Sequence, residues 1–117
     1  MTNFLKTISE PHDVQHLKLE QLEDLANECR ERIIEVTSKQ GGHLASSLGA
    51  VEITIALFKH FDLRRDRLVW DVGHQAYTHK LLTGRSDSFK NLAQNGGVKK
   101  FLSRDESTYD HFGAGHA

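Results

Sequence analysis

Residues 66–85 read DRLVWDVGHQAYTHKLLTGR, and the fold turns on how that stretch is divided. Leu68-Val69-Trp70 is a short apolar run led in by the basic residues Arg64, Arg65 and Arg67, and it reads as a buried strand. Asp71-Val72-Gly73-His74 turns out of it, and from Gln75 the spacing of Tyr77, Leu81 and Leu82 predicts a helix that stops at Gly84. Upstream, Leu19, Leu22, Leu25, Ala26, Cys29, Ile33 and Val36 recur at steps of three and four. They predict an amphipathic helix, with acidic residues early and arginines further on, as the helix dipole favours. Gly41-Gly42 ends it, since glycine takes a left-handed cap at no steric cost. After the small, polar segment 43–49, a second helix is predicted over 50–60, apolar on most sides and so expected in a core or an interface. A short helix over 88–93, capped by Ser86 or Asp87, is broken by Gly96-Gly97. Residues 1–16, with the one proline Pro11, read as an irregular arm. The order helix, helix, strand, helix predicts an α/β layer fold.

Composition excludes several classes of function. The 117 residues suit one small domain, and 38% hydrophobic residues predict a thin core. Fifteen Lys and Arg against 16 Asp and Glu leave no basic field to hold nucleic acid. No apolar run approaches the ~20 residues of a membrane span, and residues 1–10 lack the charged and apolar regions of a signal peptide. The single cysteine, Cys29, has no partner for an internal disulfide, which fits a reducing cytoplasm.

The unusual feature is eight histidines, three of them beside glycine: His43, His74 and His116. Glycine lets backbone and ligand approach closely, and an imidazole there can move protons near neutral pH. His74 also follows the carboxyl end of the predicted strand, where ligands bind in open α/β sheets. A single Gly-His pair is more often a turn with a surface histidine. A metal site is disfavoured, because His74 and His79 are five apart and there is no cysteine pair or HExxH arrangement. The residues alone describe an α/β piece with a histidine-bearing ligand edge.

The strings go further. SKQGGHLASSLGAVE over 38–52, DRLVWDVGHQAYTHKLLTGR over 66–85, Gly96-Gly97, Arg104-Asp105-Glu106-Ser107, Tyr109-Asp110 and FGAGHA over 112–117 follow one another as in a known family. Over residues 17–117 the chain resembles the 1-deoxy-D-xylulose-5-phosphate synthases, which belong with the transketolase-like enzymes. The resemblance implies the amino-terminal portion of a thiamine-diphosphate-binding domain, mostly helical with at least one parallel-type strand. It implies a synthase that joins pyruvate to glyceraldehyde 3-phosphate with release of CO2, feeding isoprenoid, thiamine and pyridoxal synthesis. The cofactor carries the hard chemistry and the protein supplies orientation and proton transfer. By position, the resemblance makes His43 and His74 catalytic, and His74, Gly115, His116 and Ala117 cofactor-binding. Ser46, Ser47 and Gly49 are expected in close helix packing, and Trp70, Tyr77 and Leu82 in the core. Lys80 and Arg85 are read as surface charges or phosphate contacts.

In the family the GDG motif that holds Mg2+ and the diphosphate, and the glutamate that activates the cofactor, come after the point matched by Ala117. The resemblance therefore implies that these 117 residues are inactive without the remainder of the synthase, and that the complete enzyme is a cytoplasmic homodimer. Two other readings compete: a short, non-catalytic relative acting as an interaction module, and a small metal- or ligand-binding protein that reuses the histidines.

Overall fold

A computed structural model describes residues 3–41, 44–70, 75–94 and 97–111. Its α-helices are α1 (Phe4–Thr7), α2 (Leu19–Gln40), α3 (Leu44–Gly49), α4 (Val51–His60) and α5 (Tyr77–Lys80). Short 3-10 turns cover Pro11–His16 and Ser88–Asn91. The spine is α2. Leu25, Ala26, Cys29, Ile33 and Val36 form its buried stripe, and α1, α3, α4, α5 and the 88–91 turn all pack on it. The stripe starts later than its sequence pattern suggests, because Leu19 at the first turn is 73% exposed. Gly41, at φ 79°, closes the helix as expected, and its N–H reaches the Thr37 carbonyl at 2.9 Å.

Residues 3–16 hold more structure than an irregular arm. Leu5, Ile8 and Val14 are buried in the common core. Glu28 on α2 accepts the Phe4 and Leu5 amides at 3.1 and 3.0 Å, satisfying donors that α1 leaves open. Asp13 accepts the Ser9 and Glu10 amides at 3.0 and 3.1 Å. Burial works against its charge, yet these amides hold its carboxyl below the usual carboxylate range. Lys59 on α4 donates to the Gln15 and Leu17 carbonyls at 2.6 and 2.8 Å. Elements this short do not form on propensity alone; they form because α2 and α4 supply partners.

The predicted strand is not formed among the described residues. Leu68, Val69 and Trp70 are irregular, and Val69 is 53% exposed. A parallel strand exists only through the ladder it shares with a neighbour, and no described segment offers one. The described fold is therefore mostly helical.

Helix α4 forms where the second helix is predicted, and of the two expected places its buried face takes the core. Val51, Thr54, Ile55 and Phe58 face the chain's own core, while Ile53 is 56% exposed. Ile55 belongs to this core, and the apolar side chains α4 leaves outward are the exposed Ile53 and Ala56 and the half-buried Leu57.

The third predicted helix is short. After Lys80 the chain widens into a π-type turn, Leu81–Arg85, and leaves helical geometry at Thr83 and at Gly84 with φ 87°. A Cβ at Gly84 would stand 2.9 Å from the Ser9 carbonyl oxygen. Gly84→Ala is thus expected to cost about 1–3 kcal/mol from the left-handed backbone alone, read as a lower urea midpoint. Past this turn, Arg32 on α2 donates to the Ser86 carbonyl at 3.0 Å, and Gln40 reaches the Lys90 carbonyl at 3.3 Å.

Candidate functional site

The sequence-based candidates His43, His74, Gly115, His116 and Ala117 lie outside the described residues. What is described is the frame between them in the chain, and it carries a buried charge cluster that the sequence reading missed. Lys80 and Arg85 are not surface charges. Lys80 is fully buried, and its Nζ donates to the Lys99 carbonyl at 2.5 Å, the Phe101 carbonyl at 2.6 Å and Glu106 Oε1 at 2.8 Å. Three protons meet three acceptors. Arg85 grips Asp110 with two parallel bonds of 2.8 Å, reaches Glu106 Oε1 at 2.7 Å and donates to Thr83 Oγ1 at 2.6 Å. Glu106 Oε2 accepts the Lys99 amide at 2.9 Å, and Asp110 Oδ2 accepts the Ser103 amide at 3.0 Å.

His79 completes the cluster. Its Nε2 lies 3.1 Å from the Tyr109 carbonyl and 3.3 Å from Asp110 Oδ1. Both neighbours are acceptors, so the assigned tautomer carries its proton on Nε2. The ring meets Phe58 edge-on, with centroids 5.5 Å apart. Burial pushes its pKa down, and the Asp110 contact only partly offsets this. Burial also lowers the Lys80 amine, opposed by Glu106. For Asp110 burial works the other way, but bonds from Arg85, His79 and the Ser103 amide hold its carboxyl well below the usual range. Two cations and two carboxylates thus cancel around a neutral imidazole. The buried Thr78 Oγ1, His79 Nδ1 and Arg85 Nε have no partner among the described residues.

These shifts fix a pH dependence. An unfolded His79 binds a proton near the ordinary histidine value of 6.5, whereas the folded ring resists it. Stability is therefore full above that pH and declines as pH falls below it. Asp110 adds a loss below about pH 4, where the unfolded carboxylate takes up its proton and the folded one stays ionised. The urea midpoint of the chain is expected to drop between pH 7 and pH 5, and His79→Gln to flatten that drop. A wild-type midpoint that stays level over the interval would contradict the assignment.

Other sequence-based assignments divide. Tyr77 and Leu82 are core, and Trp70 is half-buried. Ser47 is buried in α3, but Ser46 is exposed and a Cβ on Gly49 would meet nothing within 4 Å, so neither is in close packing. No group of three metal-ligating side chains exists among the described residues. No described helix is long and apolar enough to cross a membrane.

A family model described as 1-deoxy-D-xylulose-5-phosphate synthase matches residues 5–117. The chain belongs to the 1-deoxy-D-xylulose-5-phosphate synthase family. Within that family it is 56% identical over 113 residues to the synthase of Prochlorococcus marinus (strain MIT 9211) and 56% identical over 115 residues to that of Thermomicrobium roseum; each match takes in 97% of this chain. It is 52% identical over 117 residues, the whole chain, to the synthase of Dehalococcoides mccartyi (strain CBDB1). The chain spans 18% of the length of each of these synthases. The match takes in the charge cluster as well as His43, His74 and residues 115–117.

Proposed function

We propose that these residues form the amino-terminal part of a thiamine-diphosphate enzyme that condenses pyruvate with glyceraldehyde 3-phosphate to 1-deoxy-D-xylulose 5-phosphate, releasing CO2. The observation that carries the reading is the family match across residues 5–117, which includes all three Gly-His pairs. When bound, thiamine diphosphate supplies the electron sink for decarboxylation. His43 and His74 move or hold protons at the substrate, and His74, Gly115, His116 and Ala117 contact the cofactor. The donor chemistry fits this division. Lys80 and Arg85 are committed to carboxylates and carbonyls, so the diphosphate falls to other groups. The Mg2+ ligands and the acid that activates the cofactor belong to the rest of a synthase, which acts as a homodimer.

The 117-residue chain is the part that precedes the GDG motif, and it has no turnover alone. Incubating it with pyruvate, glyceraldehyde 3-phosphate, thiamine diphosphate and Mg2+ is expected to yield no product until the remaining synthase polypeptide is added. Product from the purified chain by itself would overturn this.

A further inference from the structure

We propose that Lys80, Arg85, Glu106 and Asp110 are positioning residues for this reaction, holding residues 99–110 against residues 77–85 in one fixed register. The inference rests on the function proposed above. Its first ground is what the cluster holds. Residues 99–110 form no helix or strand; the Glu106 and Asp110 amides bond within the segment, to the Ser103 and Ser107 carbonyls, and other backbone groups need partners from elsewhere. Those partners are side chains of the cluster: the Lys99 and Phe101 carbonyls go to Lys80, the Lys99 amide to Glu106, the Ser103 amide to Asp110 and the Tyr109 carbonyl to His79.

The second ground is cost. Taking four charges out of water is expensive, and apolar residues would hold two segments together at least as well. What apolar contacts lack is direction. A two-pronged Arg85–Asp110 pair and a lysine with all three protons placed permit one arrangement of the segments. The third ground is location in the chain. Lys80 lies six residues after His74 and Asp110 six residues before His116, so the cluster ties together the stretches that lead into both histidines. A displacement of about 1 Å in such a frame is enough to cost about 100-fold in rate.

The test uses a full-length synthase carrying these residues, with Arg85→Lys, which keeps the charge and loses the fork, and Glu106→Gln, which keeps the shape and loses the charge. Four quantities are read well below the melting midpoint: circular dichroism, amide exchange of Lys99 and Ser103 without cofactor, the thiamine diphosphate dissociation constant by calorimetry with Mg2+, and kcat at saturating cofactor. A positioning role predicts a folded protein with faster exchange at those amides. It also predicts cofactor affinity or kcat lowered at least about tenfold. If either folded variant keeps both affinity and kcat within about twofold of the parent, the cluster serves stability alone and the proposal fails. Asp110→Glu, which keeps a carboxylate facing Arg85, is expected to lose less than Arg85→Lys; equal loss in all variants with unchanged amide exchange also overturns the role. A parent synthase that neither binds thiamine diphosphate nor turns over would sink the proposed function itself, and the positioning role with it.

Discussion

Asp110→Ala is expected to destabilise the chain by about 3–5 kcal/mol. The carboxylate is 1% exposed and accepts both prongs of Arg85, the Ser103 amide and the Nε2 proton of His79. Alanine leaves that guanidinium buried with the neutral Thr83 hydroxyl and with one carboxylate oxygen, Glu106 Oε1, that it already shares with Lys80. Removing one partner of a buried pair costs far more than the pair contributes, because the other charge stays out of water without compensation. The surface pair of exposed Arg64 and half-buried Asp62 sets the contrast. Its bonds are as short, at 2.9 Å, and Arg64 lowers the Asp62 carboxyl to about 2, yet water screens it. Asp62→Ala should therefore shift the urea midpoint by little more than measurement error. Equal effects of the two substitutions would mean that the cluster around Asp110 is solvated.

Ile55→Asp should abolish cooperative folding, whereas Ile53→Asp, two residues away, should leave it intact. Ile55 is 4% exposed among Val51, Phe58 and the α2 stripe, so an aspartate there has neither water nor a partner. The group must stay neutral or the core must open, and either costs several kcal/mol. Ile53 is 56% exposed, and a carboxylate at that position remains hydrated. Circular dichroism and urea unfolding of the two variants separate the faces of α4. If Ile53→Asp also prevents association in a complete synthase, the outer face is an assembly surface.

The contrast between these residues shows what the sequence could tell. Helix α2 was legible because Leu25, Cys29, Ile33 and Val36 repeat at helical steps and Gly41 ends them, all within one local pattern. Residues 68–70 have the same kind of local signal for a strand, but a strand needs a neighbour that no described segment provides. Lys80 and Arg85 were misread for a related reason. Their burial depends on Glu106 and Asp110, 26 and 25 residues further along, and nothing in the local pattern pairs them. A lysine set between His79 and Leu81 in an apolar helix was the one available signal. Chemistry alone picked out the three Gly-His pairs as a ligand edge, and the roles of those histidines came from family likeness.

In the proposed function, the Gly-His pairs matched to the family form the working site of a thiamine-diphosphate synthase. The most direct measurement is the rate of 1-deoxy-D-xylulose 5-phosphate formation by a full-length synthase carrying these residues, as wild type, His43→Ala and His74→Ala, with folding checked by circular dichroism. Proton transfer from a positioned histidine contributes about 100- to 10,000-fold, so each folded variant is predicted to lose at least about 100-fold in kcat. Folded variants that turn over at the wild-type rate would contradict the account.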